Sequence, residues 1–356
     1  MPNKNLIILF GGRSVEHEIS VRSATNVFKY IDPSHFNLFV IGISKKGNWF
    51  LLDHPKQSIE TGKEIFLSLS ATHPHFEIKA SGTSIAIQIV FPILHGTDGE
   101  DGSIQGLMQC LNVILIGSSV LGSAISMDKI VSKKLLEHAG IPVVPFMNFS
   151  KDEAISFEEV KNKLGLPFIV KAGNLGSSVG ISKVNTSEDF ADALTDSFKY
   201  GYEILIESFV KCREFECGII GNESLSSTLA GEIILLKNYD FYTYEAKYQD
   251  ESAIRVEIPA QIPTTLHQQI RALCEKAFLT LKCNDFARVD IFLTSKNEIF
   301  INEINTIPGF TDTSMFPGLW ENMGISYPEL ISKIIEIGEA RWQQEQQYIT
   351  DLNSSN

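Results

Sequence analysis

Cysteines are few in this sequence, and none stands in a metal-binding or disulfide-forming pattern. The 356 residues include five cysteines, an odd number, and no two are spaced as a CxxC pair. Disulfide frameworks of secreted domains use an even number of cysteines, and structural zinc sites use closely spaced cysteine pairs. The sequence therefore predicts free thiols and a reducing, cytoplasmic compartment.

An excess of basic residues is also missing, as is any long apolar run. Lysine and arginine number 30 against 43 aspartates and glutamates, which gives a formal net charge of −13. Nucleic acids and anionic membranes are bound through excess lysine and arginine, and a membrane-spanning helix needs about 20 apolar residues. We therefore expect neither nucleic acid nor membrane as a partner. Hydrophobic residues make up 44% of the chain, enough for the cores of two or three domains.

Two widespread phosphate-binding fingerprints, GxxxxGK[ST] and GxGxxG, do not occur, but a different glycine-rich stretch does. In LPFIVKAGNLGSSVGISKV, a strand delivers Lys171, and Gly176, Ser177 and Ser178 follow before a second strand. Glycines let backbone amides approach an anion, hydroxyl groups add donors and the lysine supplies a positive charge. The stretch predicts a phosphate-covering loop between two strands; the alternative is a mobile hairpin without a ligand.

The first third of the sequence alternates strand-like and helical patterns. An apolar strand at residues 6–10 precedes a helix over residues 15–30, and a strand at residues 85–91 precedes the loop HGTDGEDG and a helix. This order indicates an α/β domain, whose ligands lie at the carboxyl ends of the strands. Glu16 and His95 lie in those two turns as candidate ligand contacts. The alternatives are a helix cap for Glu16 and a turn residue satisfied by backbone for His95.

Changes of pattern predict domain boundaries near residues 120 and 213. One helix over residues 121–139 follows the first α/β unit and leads into a proline-containing linker. The other predicted elements are a strand over residues 202–207 and helices over residues 266–281 and 327–348. A tyrosine-rich segment, residues 239–248, lies between them and is predicted to be a functional loop.

Acidic residues interrupt two β-like runs near the C-terminus, in RVDIFLTSKNEIFINEIN. Glu303 and Asn305 alternate with apolar residues and so share one face of a strand, and Asp290 joins them if the two runs pair as a hairpin. Carboxylate and amide oxygens suit Mg²⁺, which also binds phosphate oxygens. The pattern predicts a Mg²⁺-nucleotide site; the alternative is a two-stranded ribbon with a solvated polar face. The turn PGFTDTS that follows is rich in donors that could hold a second substrate.

Seven motifs, taken together and in order, resemble those of one enzyme family. They are GGRSVEHEIS, LHGTDGEDGSIQG, SMDK, GSSVGISKV, YEAKY, RVDIF and NEINTIPGFTDTS, which span residues 11–314. The resemblance is to the D-alanine-D-alanine ligase family of the ATP-grasp superfamily. It implies an N-terminal open parallel α/β sheet domain, residues 1–120, followed by two mixed or antiparallel ATP-grasp subdomains, residues 121–213 and 214–356, with ATP between them.

The resemblance also implies a reaction and its cofactors. Two D-alanines are ligated to D-alanyl-D-alanine through an acyl phosphate formed from ATP, for peptidoglycan precursor synthesis. Two Mg²⁺ (or Mn²⁺) ions are expected on Asp290, Glu303 and Asn305, with Glu303 bridging them. The residues implied to contact ATP are Lys129, Lys171, Gly176, Ser177, Ser178, Glu207, Phe209, Val210, Glu214, Lys247, Asn302 and Glu303.

Substrate and catalytic residues carry over in the same way. The residues implied to bind the two D-alanines are Glu16, His95, Tyr248, Arg288, Gly309 and Ser314. Glu16, Ser177 and Tyr248 resemble a linked set that closes a lid, Arg288 and Gly309 resemble the groups that stabilise the tetrahedral intermediate, and Ser314 resembles the ligand of the acceptor carboxylate. A homodimer is expected from the family.

Two features bear on the nucleotide and the acceptor. Ser208 stands where many members have lysine, which leaves one adenine contact of the family without its lysine. Cys212 stands where a glycine is common, so that turn is expected to differ. The intact YEAKY resembles the enzymes that make D-alanyl-D-alanine more than the D-lactate or D-serine variants. The alternatives are a non-catalytic nucleotide sensor on the same fold and a related ligase with a different acceptor.

Overall fold

The computed structural model describes residues 3–173, 180–236 and 254–348. The strands in these ranges are β1 (Lys4–Gly11), β2 (Phe36–Ile43), β3 (Trp49–Leu52), β4 (Lys63–Ser68), β5 (His75–Ile78), β6 (Thr83–Ala86), β7 (Ile89–Ile93), β8 (Ile114–Leu115), β9 (Phe146–Ser150), β10 (Phe168–Ala172), β11 (Ser182–Val184), β12 (Glu203–Ser208), β13 (Cys212–Gly221), β14 (Leu225–Ser227), β15 (Gly231–Leu235), β16 (Ile254–Glu257), β17 (Phe286–Thr294) and β18 (Ile299–Asn305). The α-helices are α1 (His17–Tyr30), α2 (Ser103–Cys110), α3 (Val120–Met127), α4 (Lys129–His138), α5 (Phe157–Leu164), α6 (Ser187–Ser197), α7 (Thr264–Thr280), α8 (Met315–Asn322) and α9 (Tyr327–Glu345). Of the helices in the described ranges, none is both long and apolar enough to cross a membrane.

The first sheet has the order β6-β5-β4-β3-β2-β1-β7-β8. Its centre is parallel, because β1 pairs with β2 and β7, and β7 with β8, in the same direction. The apolar run Leu6–Phe10 is almost fully buried, as expected of a strand covered on both faces. The predicted α/β opening is therefore confirmed. Strands β4 to β6 form an antiparallel edge that the sequence pattern did not predict.

Two smaller antiparallel sheets follow. The second sheet has the order β11-β10-β12-β9. The third has the order β16-β15-β13-β17-β18, with β14 paired to β13. The predicted hairpin of two acidic runs is confirmed as β17 and β18, which pair across the turn at Asn297. The boundary expected at residue 213 falls inside β13, and the division into three domains stays a prediction.

The single helix predicted over residues 121–139 is wrong, because the chain forms two helices there. Asp128 separates α3 from α4, and its backbone has an extended ψ of 102°. Its side chain accepts hydrogen bonds from the backbone N–H groups of Ile130 and Val131, at 3.0 and 2.9 Å. Aspartate is a favoured N-cap because its carboxylate satisfies these unpaired donors. The break makes Lys129 the first residue of α4.

The last helix returns to the first sheet. Buried leucine and isoleucine side chains of α9 share one core with β1, β7 and α1. Phe310, in the loop after β18, stacks edge-on against Phe91 of β7 and Phe286 of β17, with ring centroids 5.9 and 5.7 Å apart. This shared core fixes the loop after β18 against the carboxyl end of the first sheet.

Candidate functional site

A cavity of about 580 Å³ lies where the loops of the first sheet meet α4 and the β17–β18 hairpin. It brings together eight of the predicted site residues from distant parts of the sequence. They are Glu16, His95, Lys129, Arg288, Glu303, Asn305, Gly309 and Ser314. The sequence motifs that these residues represent therefore share one site.

The floor of the site is the β17–β18 hairpin. Asp290 is directly opposite Glu303 and Arg288 is opposite Asn305 in the strand register. Arg288 contacts both carboxylate oxygens of Asp290, at 2.7 and 2.8 Å, and lies 3.0 Å from Glu216 of β13. Burial would lower the pKa of Arg288, but these two carboxylates outweigh it and hold the pKa above its usual value. The guanidinium is thus fixed in place and permanently charged.

Lys129 faces the hairpin from the opposite wall. Its ammonium nitrogen is 3.1 Å from Glu303, and its backbone N–H donates to the carbonyl of Gly173 at the end of β10. Burial opposes the charge, but Glu303 more than compensates, so the pKa of Lys129 is raised. A charged lysine therefore lies between the second and third sheets.

The hairpin also has the chemistry of a divalent-cation site. Asp290 and Glu303 retain partial exposure, 14 and 21% of their side chains. The amide of Asn305 donates to Asp290 at 3.1 Å, so its oxygen lies in the same cluster. Two carboxylates and an amide are hard oxygen donors of the kind that Mg²⁺ prefers. In the described ranges no group of three His, Cys, Asp or Glu side chains is arranged to hold a metal, and the predicted set has only two such members.

A second buried charge cluster lies between α4 and the second sheet. The carboxylate of Glu207 on β12 contacts the ammonium of Lys171 on β10, and lies 2.6 Å from that of Lys133 on α4. Burial alone would raise the pKa of Glu207, but the two lysines lower it to about 2. Lys133 is fully buried and was not predicted. Its position four residues after Lys129 was the available signal, since such residues share a helix face.

Glu16 lies at the start of α1 without capping the helix through its side chain. Its carboxylate turns towards the loop after β7, where a Cβ built on Gly96 would lie 2.7 Å from it. Gly96 has a φ of +73°, which few other residues adopt. Glu16 therefore occupies the N-cap position, but its side chain does not cap the helix and lines the cavity instead.

Glu100 is a further acidic group in the cavity that was not predicted. It accepts hydrogen bonds from the N–H groups of Gly96 and Ile307, at 2.6 and 3.2 Å. Burial is the main cause that raises the pKa of Glu100 to about 8, and the negative charge of the nearby Glu16 is the second. The available signal was the acidic loop GTDGEDG, in which no particular carboxylate could be selected without the fold.

The loop after β18 supplies donors beside the hairpin. Ser314 stands just before α8, and its hydroxyl lies 3.0 Å from the N–H of Thr311 and 2.7 Å from the Thr311 hydroxyl. A Cβ built on Gly309 would lie 2.8 Å from the Ser314 oxygen. Gly309 and Ser314 are therefore adjacent, and glycine permits that approach.

Four further residues predicted to contact ATP lie between or on strands of the second and third sheets. Phe209 and Val210 follow β12 outside any helix or strand and are partly buried, and the ammonium of Lys183 lies 4.2 Å from the Phe209 ring centroid. Glu214 is on β13 and Asn302 on β18, both partly buried. The described part of the cavity wall does not include these four side chains.

The two departures from the family pattern also have structural settings. Ser208 ends β12, and its hydroxyl donates to the carbonyl of Leu164 at 2.8 Å. Cys212 begins β13 and is partly buried. Five predicted site residues lie outside the described residues, namely Gly176, Ser177, Ser178, Lys247 and Tyr248.

Known proteins match this chain over nearly its whole length. Residues 5–118 match the family described as D-ala D-ala ligase N-terminus, and residues 135–336 match D-ala D-ala ligase C-terminus. A D-alanine-D-alanine ligase from Oceanobacillus iheyensis is 43% identical, with 97% of each chain covered.

Solved structures of similar proteins share the fold. The D-alanine-D-alanine ligase from Coxiella burnetii has a TM-score of 0.86 at 33% identity, with 97% of this chain and 98% of that one covered. The VanG D-Ala:D-Ser ligase from Enterococcus faecalis has a TM-score of 0.84 at 30% identity, with 94 and 99% covered. The chain belongs to the D-alanine-D-alanine ligase family, and it is an ATP-dependent ligase with the ATP-grasp fold.

Proposed function

We propose that this ligase joins two D-alanines to D-alanyl-D-alanine, for peptidoglycan precursor synthesis, with the residue roles set out below. The observation that carries the proposal is the convergence of Glu16, Lys129, Arg288 and Glu303 on one cavity. Ligation of two amino acids by ATP needs a site for an ammonium group, cations for phosphate oxygens and donors for a developing oxyanion. The cavity offers all three.

The first step is phosphoryl transfer. A carboxylate oxygen of the first D-alanine attacks the γ-phosphorus of ATP, and the bond from that phosphorus to the β-phosphate oxygen breaks. ADP departs, and the D-alanine has become an acyl phosphate. Such transfers depend on alignment and charge neutralisation more than on a covalent catalyst. Lys129, held between the second and third sheets, and Lys171 are suited to bind the phosphate oxygens, and Glu16 is suited to hold the ammonium of the first D-alanine.

The second step forms the amide. The amine nitrogen of the second D-alanine attacks the acyl carbon, a tetrahedral intermediate forms, and phosphate leaves with an oxygen that began in the carboxylate. Arg288 is fixed by two carboxylates beside this position, and the Gly309 N–H is the proposed second donor for the oxyanion. Ser314, adjacent to Gly309, is proposed to bind the carboxylate of the incoming D-alanine.

Asp290, Glu303 and Asn305 are proposed to hold two Mg²⁺ or Mn²⁺ ions. The hard oxygen donors of the hairpin support this assignment. Arg288 and Lys129, which contact Asp290 and Glu303, would share these carboxylates with the ions. When bound, the ions neutralise phosphate charge. The strand register of the hairpin places Glu303 opposite Asp290, where the two carboxylates would hold the ions.

The nucleotide base is proposed to lie along β12 and β13, near Glu207, Phe209, Val210 and Glu214. Asn302 is proposed to lie beside the phosphates with Glu303. Five further contacts are proposed from the family resemblance alone, those of Gly176, Ser177, Ser178, Lys247 and Tyr248. The three-domain division, a cytoplasmic location and a homodimer are part of the same proposal, and light scattering of the purified protein tests the dimer.

The experiment that tests the function is phosphate release from ATP with different acceptors. D-alanine alone, L-alanine alone, and D-alanine mixed with D-serine or with D-lactate are each supplied with ATP and Mg²⁺, and the dipeptide or depsipeptide product is identified by mass. Release with D-alanine alone, accompanied by D-alanyl-D-alanine, is expected. Preferred release with D-alanine and D-serine together would move the chain to the acceptor class of the Enterococcus faecalis relative, and release with none of them would refute the proposal.

A further inference from the structure

Both backbone polar groups of Ile307, its N–H and its carbonyl oxygen, are held by the loop after β7. Its carbonyl oxygen is 2.9 Å from Nδ1 of His95, and its N–H donates to Oε1 of Glu100 at 3.2 Å. The partners are more than 200 residues apart in sequence, and Ile307 is only 3% exposed. The loop after β7 therefore holds the backbone of the loop that follows β18 through two hydrogen bonds.

A third hydrogen bond holds the same loop three residues later, at Phe310. The N–H of Phe310 donates to the hydroxyl oxygen of Ser23 at 3.2 Å, and that hydroxyl lies 3.2 Å from Nε2 of His95. Ser23 and Phe310 are fully buried, and His95 is 5% exposed. Ser23 belongs to α1, so a helix and a loop of the first domain both contact the segment.

The donors and acceptors in this chain of contacts can be assigned uniquely. The Ile307 carbonyl can only accept, so Nδ1 of His95 carries a hydrogen. Burial lowers the pKa of His95 and keeps the ring neutral, so Nε2 has no hydrogen and accepts from the Ser23 hydroxyl. The Ser23 oxygen in turn accepts from Phe310. Both ring nitrogens of His95 are thus engaged by the protein.

Only Pro308 and Gly309 lie between Ile307 and Phe310, the two residues whose backbone groups are held by these hydrogen bonds. Proline fixes its own φ, so little freedom remains for the Gly309 N–H once Ile307 and Phe310 are fixed. Glu100 adds a second tie, because its other oxygen accepts from Gly96 in the turn that packs against Glu16. The wall that faces the first substrate and the loop that carries Gly309 are therefore linked through one carboxylate.

We propose that Ser23, His95 and Glu100 are positioning residues that fix the Gly309 N–H for the reaction, with His95 acting through the Ile307 carbonyl. The proposal rests on the proposed role of Gly309 as an oxyanion donor. It gives His95 a structural reason to lie in the cavity that does not require contact with substrate. Donors aimed at a developing charge must be held in place before the reaction for their full effect.

The test compares two amide replacements of His95. In His95→Asn the side-chain nitrogen lies near the position of Nδ1 and can still donate to Ile307, whereas in His95→Gln it lies near Nε2 and faces Ser23. We expect His95→Asn to keep kcat within about 10-fold of wild type and His95→Gln to lose about 100-fold, the size seen when one oxyanion donor is removed. The KM for ATP is expected to be unchanged in both.

Hydrogen exchange of residues 305–312 supplies a readout besides activity. We expect faster amide exchange there in His95→Gln and in Ser23→Ala. Ser23→Ala removes only one hydroxyl group, so it provides a second test if His95→Gln fails to fold. Thr25→Ala is the matched control, because its hydroxyl donates to the carbonyl of Val21 within α1, and neither kcat nor exchange should change.

Three outcomes would overturn the proposal. Equal or greater activity in His95→Gln than in His95→Asn would show that the Ile307 contact is not the important one. A loss of kcat without faster exchange would place His95 on the substrate instead of on the loop. Faster exchange with unchanged kcat would show that these side chains hold the loop but that the position of the Gly309 N–H does not matter for the reaction. This outcome separates the positioning claim from the role proposed for Gly309.

Discussion

Asp290 and Glu303 stand directly opposite each other on β17 and β18, and each carboxylate is paired with a different cation. Arg288 holds Asp290 from within the same strand, while Lys129 approaches Glu303 from α4. The Asp290 pair therefore stays within the third sheet, whereas the Glu303 pair connects that sheet to α4. Changing either one is expected to affect the chemistry more than the fold, because both stay partly exposed.

The first prediction concerns Glu303→Gln. The variant keeps the shape of the side chain but loses the charge that we assign to cation binding. We expect kcat to fall by about 1,000-fold or more, since loss of several kcal/mol of charge stabilisation corresponds to that factor. Steady-state ADP formation at several Mg²⁺ concentrations measures it. Glu321→Gln, an exposed position on α8, should behave as wild type, and near-normal Mg²⁺-dependent turnover in Glu303→Gln would remove the metal assignment.

A second prediction concerns Lys133→Met. Glu207 would lose one of its two cations while remaining buried, and breaking a buried ion pair from one side is strongly destabilising. We expect the free energy of unfolding in urea to fall by about 3 kcal/mol and the KM for ATP to rise. The neighbouring Lys134→Met changes the same residue type at an exposed position and should have little effect. Equal stability of the two variants would argue that Lys133 does not support Glu207.

The third prediction is a pH dependence of stability set by Glu100. Its pKa is raised from 4.5 to about 8, so the folded protein binds this proton more tightly than the unfolded chain does. The contribution of this group to the free energy of unfolding is fully present below about pH 4.5 and is lost as the pH rises to about 8. In Glu100→Gln that loss should disappear, because glutamine does not titrate.

Urea denaturation at pH 5, 6.5 and 8 measures this difference, with Glu60→Gln as an exposed control. The stability of wild type relative to Glu100→Gln should decline steadily across the series. A constant difference would mean that the Glu100 carboxyl does not hold its proton in the folded protein.

The fourth prediction separates the acceptor from the nucleotide. In Gly309→Ala the new methyl group would lie 2.8 Å from the Ser314 oxygen, which two contacts to Thr311 hold in place. We expect the KM for the second D-alanine to rise about 10-fold, equivalent to about 1.4 kcal/mol, with the KM for ATP unchanged. In Gly106→Ala the added methyl group meets only an ordinary contact, 3.8 Å from Val120, so this variant is the control. Parallel increases in both KM values would contradict a local effect on Ser314.

The parts of the fold that the sequence predicted are those whose signal is local. The alternation of Glu303, Ile304 and Asn305 placed the two polar side chains on one face, and the pairing of β17 with β18 followed from a short turn, although the register shift between Asp290 and Ile291 was not predicted. The apolar β1 and its following helix were predictable for the same reason. The strands β4 to β6 were missed because they are short, polar and partly exposed, so their alternation is weak.

Contacts between distant segments could not be predicted from local pattern. His95 and Ile307 lie 212 residues apart, and no periodicity in either segment specifies the other. Lys133 and Glu207 are likewise joined only once α4 packs on the second sheet. The break at Asp128 was missed because a helical pattern continues through it, and only the backbone geometry reveals the capping carboxylate.

The measurement that tests the central claim most directly follows oxygen through the reaction. The protein is supplied with ATP, Mg²⁺ and D-alanine labelled with ¹⁸O in both carboxylate oxygens, and the released phosphate is analysed by mass. An acyl phosphate built from the first D-alanine transfers one labelled oxygen to each phosphate released with D-alanyl-D-alanine. Phosphate without label, or labelled phosphate formed equally well from L-alanine, would contradict the account.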